Sequence, residues 1–248
     1  MERTYDIIDL LKKKKKMSTD ELCREFFCSP ATMRRELSKL EHMGAVKRVR
    51  GGAILRGGNN FDYSAAYRMN VNIREKQYIC SIAKDFLSSG MSIFIDSSST
   101  AEQICPYLSE YQNLTVVTNG INAALILNEY ENIETYITGG HLGNGSHSVL
   151  GELAGNFIEN FKADLALLSC RGVSRDGTFE ADHSQALIKQ HMIDNAKSAV
   201  LLFDSSKTGK NYFYRLSSFD RFTAAICNLC PDDDICEEFL KSGCELLY

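Results

Sequence analysis

The sequence predicts an α/β protein with two domains: a small N-terminal domain of short helices and a hairpin, and a larger domain built on a mostly parallel sheet. Helical periodicity dominates the first part of the chain, whereas short apolar strands alternate with helical patterns afterwards. The net charge changes sign between the two parts, and Gly57-Gly58-Asn59-Asn60 separates them. We therefore expect an N-terminal domain at 1–56, a linker at 57–74 and a C-terminal domain at 75–248.

Length and charge narrow the class of protein. With 248 residues and 44% hydrophobic content, the chain can bury one large core together with a small one. Residues 1–56 hold 14 Lys and Arg against 8 Asp and Glu, a net charge of +6, whereas the remaining residues hold 14 against 24, a net charge of −10. Such asymmetry suggests that the first domain meets a polyanion and that the second has another task.

The cysteines and the absence of long apolar segments indicate the compartment. The sequence shows neither a membrane span nor an apolar signal-peptide core, so we expect a cytoplasmic protein without a membrane partner. An odd number of cysteines, nine, suits a reducing compartment. Cys227 and Cys230, with Cys236 and Cys244 beyond, lack a second closely spaced ligand pair, so we expect incidental thiols, no metal and no cofactor.

The first domain begins with three predicted helices. Ile7, Ile8 and Leu11 share one helical face, and Ser18-Thr19-Asp20-Glu21 fits a capping box that opens a second helix. Ser29-Pro30 predicts the start of a third helix, because Ser is a good N-cap and Pro is tolerated at the first helical position. This third helix is expected to bury three residues on one face: Met33, Leu37 and Leu40.

A basic hairpin is expected to follow, since basic and apolar residues alternate around Gly51-Gly52. Three helices and such a hairpin form a winged helix-turn-helix, a fold that reads double-stranded DNA with its recognition helix and its wing. Taken alone, the pair Arg34-Arg35 would be better explained as part of a solvated helix surface. The lysine run at 12–16 is better explained as a solvated block after the first helix. The candidate DNA contacts are Ser29, Thr32, Arg34, Arg35, Ser38, Lys47, Arg48 and Arg50.

The second domain alternates predicted strands and helices, which implies a mostly parallel sheet covered on both faces. The expected strands are Ser92–Ile95, Leu114–Val117, Thr135–Thr138, Asp164–Ser169, Ala199–Phe203 and Thr223–Ile226. The expected helices include Ala101–Leu108, Ile121–Asn128, Gly151–Phe161 and Ala186–Asn195.

Small and polar residues collect where these strands end, which is where such sheets bind ligands. Asp96 and the four hydroxyl residues Ser97, Ser98, Ser99 and Thr100 lie between a strand and a helix, a setting that favours anion binding. Lys207, at another strand end, can add a positive charge. The alternative explanation, that the serines only cap the following helix, requires just one of them. Further candidates at strand ends are Thr118, Asn119, Gly139 and Gly140.

An enzyme is the competing interpretation of this loop. Serine hydrolysis needs a histidine base, and His141 alone follows a strand end near the loop, with no sign of an orienting partner. Sugar-phosphate isomerisation needs a carboxylate base beside the sugar. A third possibility is that the second domain serves only for oligomerisation.

The chain resembles the DeoR family of bacterial transcriptional regulators over nearly its whole length. The first domain carries "STDELCREFFCSPATMRRELSKLEHMGAVKRVRGGAI". The second carries "REKQYI", "IFIDSSST", "VVTNGINAAL", "TGGHL", "SVLGELA", the pair Gly172-Val173 and "LLFDSSKTGK" in order. The resemblance implies a repressor of carbohydrate-use genes whose Rossmann-like C-terminal domain, similar to ribose-phosphate isomerases, glucosamine-phosphate deaminases and CoA transferases, binds a phosphorylated sugar or related metabolite. We also expect a homo-oligomer, a dimer or tetramer, because two N-terminal domains are needed to read the two half-sites of a DNA operator.

Several positions depart from the family pattern. Glu36 in place of the usual Asp and Arg50 in place of a usual His are mild changes. Ser98 stands where the family usually has Gly, so we expect either a stiffer loop or one more hydroxyl for the ligand, and in either case a source of effector preference. "SCRGV" places Cys170 and Arg171 at a strand end where the related isomerases carry catalytic acids. Arginine cannot act as a base near neutral pH, which weakens the enzyme interpretation. Arg171 is therefore expected either to pair with an anionic effector or to face solvent or a neighbouring subunit.

Overall fold

The computed structural model describes residues 2–55 and 65–248, and the chain forms two compact units, Met1–Val71 and Asn72–Tyr248, here called the head and the body. The expected hinge at 57–60 lies outside the described residues. Within the expected linker, Ala65–Arg68 forms a short helix whose Tyr67 side chain is buried against the head's core, and Val71 also packs there. The described part of that linker therefore belongs to the head as far as Val71.

The head combines helices with a small antiparallel sheet. Its elements are α1 (Glu2–Lys14), β1 (Lys16–Ser18), α2 (Thr19–Glu25), α3 (Pro30–His42), β2 (Val46–Val49), β3 (Gly52–Leu55) and α4 (Ala65–Arg68). The predicted hairpin is present as β2 and β3, and β1 joins it in the order β1-β3-β2. The strand β1 was not predicted, because three residues carry too little periodicity to be recognised.

Capping side chains start the head's helices where the sequence predicts. The Ser18 hydroxyl accepts from the Glu21 backbone N–H at 3.2 Å, and the Glu21 carboxylate accepts from the Ser18 backbone N–H at 2.7 Å. The Ser29 hydroxyl accepts from the Thr32 backbone N–H at 3.2 Å, and Pro30 occupies the first turn. These bonds satisfy backbone donors that have no partner inside a helix. The expected face of α3 is buried, with Met33, Leu37 and Leu40 in the core.

The sequence suggested that the lysine run at 12–16 follows the first helix, and the structure corrects this expectation. The helix α1 continues to Lys14, Lys15 adopts a left-handed conformation with φ +62°, and Lys16 begins β1. The run therefore spans the end of a helix, a turn and the start of a strand.

The body is built on a seven-stranded sheet in which every neighbouring pair of strands is parallel. Its strands lie in the order β15-β14-β12-β9-β4-β5-β6. Their bounds are β4 Ser92–Ile95, β5 Leu114–Thr118, β6 Ile133–Ile137, β9 Ala163–Ser169, β12 Ala196–Leu202, β14 Ala224–Ile226 and β15 Glu245–Leu247. The mostly parallel α/β fold is thus confirmed, and β15 is a strand that the sequence analysis missed.

Helices cover this sheet on both faces. The α-helices are α5 (Ile73–Ala83), α6 (Ile121–Leu127), α7 (Glu152–Glu159), α8 (His183–Asp194) and α9 (Asp233–Ser242), and Ala101–Glu110 is a 3₁₀ helix containing Pro106. Alternate residues of one strand enter opposite cores: in β9, Leu165 and Leu167 pack on one side, and Ala166 and Leu168 on the other. This alternation follows from the two-residue period of a strand, and burial on both faces explains why these strands read as continuous apolar runs.

Two smaller antiparallel sheets complete the body. The first contains β10 (Gly172–Ser174), β11 (Gly177–Glu180) and β13 (Tyr214–Ser217), and the second pairs β7 (His141–Leu142) with β8 (Val149–Leu150). Neither sheet was predicted, since strands of two to four residues leave little pattern in the sequence. The strand β11 ends at Glu180, a buried carboxylate that enters the site described below.

Candidate functional site

The predicted DNA-contacting residues lie on the surface of the head. Ser29 and Thr32 occupy the first turn of α3, where their two hydroxyl oxygens are 3.0 Å apart. Thr32 is half-buried, while the others are exposed: Ser29, Arg34, Arg35, Ser38, Lys47, Arg48 and Arg50. Exposed guanidinium and hydroxyl groups on α3 and the hairpin form a surface suited to phosphates and base edges.

Two of these residues also bind each other. The Arg48 guanidinium donates to the Ser38 hydroxyl at 3.0 Å, and the Arg48 backbone N–H donates to the Glu41 carboxylate at 3.1 Å. The hairpin strand β2 is thereby attached to α3. Arg48 and Ser38 thus have a role inside the head in addition to any contact with DNA.

In the body, Asp96 organises the loop that follows β4. Its carboxylate is fully buried, and one oxygen accepts from the Ser98 backbone N–H at 3.1 Å and from the Ser98 hydroxyl at 2.5 Å. The Ser98 hydroxyl in turn accepts from the Ala101 backbone N–H at 3.1 Å, at the start of the 3₁₀ helix. Ser98 is therefore the one serine that the capping explanation accounts for. Its hydroxyl bonds within the loop, so Ser98 helps to hold the loop in shape.

A buried lysine holds the other oxygen of Asp96. The Lys189 ammonium lies 2.9 Å from the Asp96 carboxylate, donates to the Ser169 carbonyl at 2.8 Å and bonds to the Glu180 carboxylate. The three charged side chains are almost completely inaccessible, with 5%, 1% and 2% of Lys189, Asp96 and Glu180 exposed. Burial alone lowers the pKa of Lys189, but the two carboxylates raise it above its ordinary value, so the lysine stays charged.

Neither Lys189 nor Glu180 was among the site residues predicted from the sequence. Each lies far along the chain from Asp96, and polar and apolar residues are mixed around α8, so the sequence does not separate a buried face from an exposed one. A weak signal was available, because Lys189 belongs to the apolar positions of α8 that face the sheet, with Ile188 and Met192 as neighbours.

Ser97 is surrounded by polar side chains from other elements. Its backbone N–H donates to the Asn119 amide oxygen at 3.0 Å, and its hydroxyl accepts from the Ser148 hydroxyl at 2.6 Å. The Gln185 side chain donates to Ser148 at 2.9 Å and lies 3.4 Å from the Ser97 hydroxyl. The predicted neighbours Ser97 and Asn119 are thus brought together, and Ser148 and Gln185 are additions that only the tertiary structure provides.

The last two hydroxyls of the loop each meet an ammonium group. Lys76, of α5, donates to the Ser99 hydroxyl at 3.0 Å, and Lys207 donates to the Thr100 hydroxyl at 3.2 Å. Lys207 also donates to the Ser169 hydroxyl at 2.7 Å. Lys76 is 4% exposed and the Lys207 side chain 15% exposed, so both charges are partly withdrawn from water. The expected approach of Lys207 to the loop is therefore present, and Lys76 adds a second cation.

The remaining predicted residues shape the surroundings of the loop. The buried Thr118 hydroxyl accepts from the Gly120 backbone N–H at 3.0 Å, so it stabilises the turn after β5. Gly139 is exposed, and Gly140 has φ +140°. A Cβ on Gly140 would lie 2.4 Å from the Leu150 carbonyl oxygen, so a side chain cannot be accommodated there.

Arg171 and Cys170 are not placed as an acid–base pair. The Arg171 guanidinium lies 3.9 Å from the Glu180 carboxylate, an internal acid that the sequence did not place beside it. Burial raises the pKa of the Cys170 thiol to about 12, which keeps it protonated and unreactive.

The geometry favours an anion-binding site over a nucleophile. In the described part of the chain, the partners of the Ser97 to Thr100 hydroxyls are serine, glutamine, asparagine, aspartate and lysine side chains and a backbone N–H, with no histidine among them. An activated serine needs a free base at hydrogen-bonding distance, and the Asp96 carboxylate to which Ser98 donates is already paired with the Lys189 ammonium. Two ammonium groups and several hydroxyls instead match a ligand that carries negative charge and accepts hydrogen bonds.

Other candidate chemistry is limited. Cys230 and Cys236 bring their sulfur atoms to 3.7 Å, whereas Cys227 is buried. Among the described residues, no cluster of three or more His, Cys, Asp or Glu is arranged to hold a metal ion. Across residues 2–55 and 65–248, no helix has the length and apolar character needed to cross a membrane.

Comparison with known proteins matches each part of the chain to a described family. Residues 3–56 match the family described as the DeoR-like helix-turn-helix domain, and residues 71–228 match the DeoR C terminal sensor domain. The HTH-type transcriptional repressor GlcR of Bacillus subtilis strain 168 is 31% identical over 246 residues, which cover 99% of this chain and 95% of that protein. The glycerol-3-phosphate regulon repressor of Escherichia coli K12 is 30% identical over 231 residues, 93% of this chain and 91% of the relative.

A solved structure of ribose 5-phosphate isomerase A from Methanocaldococcus jannaschii aligns with 54% of this chain and 53% of its own, at 18% identity and a TM-score of 0.39. The relatives named above are repressors, so the predictions of a regulator and of a protein that is not an enzyme are confirmed. The resemblance to the DeoR family is confirmed as well. The chain belongs to the DeoR family and is a DNA-binding transcriptional regulator with a DeoR-like helix-turn-helix head and a DeoR C terminal sensor domain.

Proposed function

We propose that the body binds a phosphorylated sugar at the loop after β4 and that this binding changes the affinity of the head for operator DNA. The observation that carries the proposal is the pair of ammonium groups on adjacent hydroxyl residues, Lys76 on Ser99 and Lys207 on Thr100. A phosphate group brings oxygens that accept from both ammonium and hydroxyl donors.

The division of charge within the site supports a strongly anionic ligand. The Lys189 charge is already balanced by Asp96 and Glu180, so this lysine holds the loop in shape and contributes little net positive charge. Lys207 lies 3.9 Å from the Asp204 carboxylate, a longer and weaker pairing. Lys207 is therefore the better placed cation to receive a phosphate.

The neighbours of Ser97 suit the rest of a sugar. Asn119, Ser148 and Gln185 supply amide and hydroxyl groups that can exchange their mutual hydrogen bonds for bonds to sugar hydroxyls. Because a site built of paired polar groups rejects analogues that leave them unpaired, these three residues are proposed to set effector specificity.

For the head, we propose that α3 enters the major groove with Arg34 and Arg35 facing bases or phosphates, while Lys47, Arg48 and Arg50 contact the backbone from the hairpin. Their exposure on α3 and β2 supports this assignment. Reading two half-sites requires two heads, so the proposed working form is a homo-oligomer in the cytoplasm.

The test combines two measurements on the full chain. Fluorescence anisotropy with a labelled duplex from the protein's own upstream region reports DNA affinity, and thermal unfolding reports ligand binding. The panel contains glucose 6-phosphate, fructose 6-phosphate, fructose 1-phosphate and glycerol 3-phosphate, with the unphosphorylated sugars as controls. We expect one phosphorylated compound to raise the unfolding temperature and to change the DNA Kd by about 5- to 150-fold, the usual range of coupling between sites.

Two variants show whether the loop is the binding site. Lys207→Met should abolish the thermal shift caused by that compound, because it removes a cation that touches Thr100. Lys197→Met is the matched control, since Lys197 is 78% exposed and pairs with Asp164 at the other end of the strands. Equal thermal shifts in both variants would place the ligand elsewhere, and a lack of DNA binding by the wild type at low salt would remove the proposal.

A further inference from the structure

The junction between head and body is the feature that the proposed function leaves unexplained. Val71 packs against the hydrophobic core of the head. Asn72, the next residue, is the first residue of the body and the N-cap of α5. No residue of the chain therefore separates the last core residue of the head from the first anchored residue of the body.

Asn72 has an unusual conformation for the start of a helix. Its backbone is left-handed, with φ +54° and ψ +40°, and its side chain does not cap α5. Asparagine tolerates this region better than other residues with a side chain. An asparagine at an N-cap normally accepts from the helix backbone, so this side chain serves another purpose.

The Asn72 side chain instead contacts residues next to Lys207 at the proposed sensor site. The Asn72 amide donates to the Asp204 carboxylate at 2.9 Å and to the Ser206 hydroxyl at 3.3 Å. Asp204 is 2% exposed, and the same carboxylate accepts from the Ser206 backbone N–H at 3.1 Å. Asp204 thus sits between the first residue after the head and the short turn that leads to Lys207.

The same carboxylate responds to the charge of Lys207. Burial alone raises the pKa of Asp204, but the ammonium of Lys207 and the hydrogen bonds of Ser206 and Asn72 lower it below its usual value. Lys207 also donates to Thr100 of the loop, and one turn after Asn72, Lys76 donates to Ser99. The first turn of α5 is therefore tied to both strand-end loops of the site.

We infer that the Asn72–Asp204 hydrogen bond transmits occupancy of the sensor site to the DNA-binding head. The inference rests on the proposed function, because it assigns the regulation of that same site. An anion that draws Lys207 toward itself leaves Asp204 with less positive charge nearby and strengthens its attraction for the Asn72 amide. The change in this bond acts on a residue that is covalently adjacent to the head, and coupling requires such a difference between two states.

A double-mutant cycle tests the inference without an effector. DNA Kd is measured by anisotropy for the wild type, Asn72→Gly, Lys207→Met and the double variant. Glycine suits the left-handed backbone, so Asn72→Gly deletes the amide without straining the fold. We expect Lys207→Met to change the wild-type Kd by about fivefold or more and to have no measurable effect in the Asn72→Gly background. Equal effects in both backgrounds, or none in either, would overturn the inference.

A second measurement separates this inference from the proposed function. Asn72→Asp keeps the size of the side chain but places one carboxylate against another. For the member of the sugar-phosphate panel that shifts the wild type, this variant should retain the thermal shift and lose the change in DNA Kd. Asn113→Asp is the control, because Asn113 is exposed and also left-handed, with φ +55°. If the compound changes the DNA Kd of Asn72→Asp as much as that of the wild type, the inference alone is wrong. If no compound of the panel shifts the unfolding temperature of the wild type, the proposed function is wrong.

Discussion

The head and the body use charged residues in opposite ways. In the head, the basic side chains of α3 and β2 are exposed, and Arg34, Arg35 and Lys47 extend into water. In the body, Lys189, Asp96 and Glu180 are withdrawn from water and bond to one another.

The difference shows that exposure decides what a charge can do in this protein. Exposed charges stay hydrated, cost the fold little and remain available to a polyanion. Buried charges must be paired, and once paired they fix the geometry of their neighbours. The body therefore offers a preformed loop to the proposed ligand, while the head presents a charged surface to DNA.

The largest effect is expected from unpairing the buried charges. Lys189→Met removes the cation that Asp96 and Glu180 share and leaves Glu180 only the more distant Arg171 guanidinium. This change should lower the free energy of unfolding of the body by about 3–5 kcal/mol. Urea unfolding followed by circular dichroism measures this loss. Lys197→Met, which removes an exposed partner of Asp164, is the control and should cost less than about 1 kcal/mol. Similar losses in the two variants would mean that the buried cluster does not support the loop.

A smaller effect, on recognition alone, is expected in the head. Arg35→Ala should reduce discrimination between operator and unrelated DNA by about 1–3 kcal/mol if the arginine reads a base. The unfolding temperature should stay the same, because the side chain is exposed. Anisotropy with specific and scrambled duplexes gives the discrimination. Unchanged discrimination would remove Arg35 from the reading surface.

The salt dependence of DNA binding distinguishes the exposed lysines of the head from those of the body. Lys47→Ala should reduce the slope of log K against log salt concentration by about 1, since one phosphate contact is lost. The exposed Lys197 of the body should have no influence on this slope when changed to Ala. A loss of slope in Lys197→Ala comparable to that in Lys47→Ala would show that the body also contacts DNA.

The smallest effect concerns a carboxylate at the start of the strands. The Lys197 ammonium, with the backbone N–H and hydroxyl of Ser92, holds the pKa of Asp164 at about 2. Because this pKa is below the value in the unfolded chain, the stabilisation is complete near neutral pH and is lost as the pH falls from about 4 toward 2. Lys197→Ala should move the Asp164 pKa upward in a carboxyl NMR titration, and an unmoved value would contradict the assignment.

Much of the head could be predicted from sequence because its signals are local. Ser18 and Glu21 are three residues apart and cap the same helix, and Ser29-Pro30 begins α3 as expected. The fold of the body was predictable for a related reason, since apolar strands of four to seven residues such as β4 and β9 separate clearly from helices. The β10–β11–β13 sheet lacked such a signal and was missed.

Within the site, the loop was predictable and its supports were not. Asp96, Ser97, Ser98, Ser99 and Thr100 are contiguous and follow a recognisable strand. The sequence makes Ser98 a candidate ligand contact, but it does not predict that the Ser98 hydroxyl bonds to Asp96 and to the helix start. Such a bond depends on the direction of a side chain, which residue type alone does not determine.

The sequence by itself determined the two-domain order, the basic charge of the head and the position of the hydroxyl-rich loop, because each depends on neighbouring residues. The tertiary structure decided which distant residues complete the site: Lys76, Glu180, Gln185 and Lys189. It also placed Asn72 on Asp204, a contact across 132 positions of the chain. A parallel sheet brings the ends of distant strands to one edge, and only the folded chain specifies which side chains meet there.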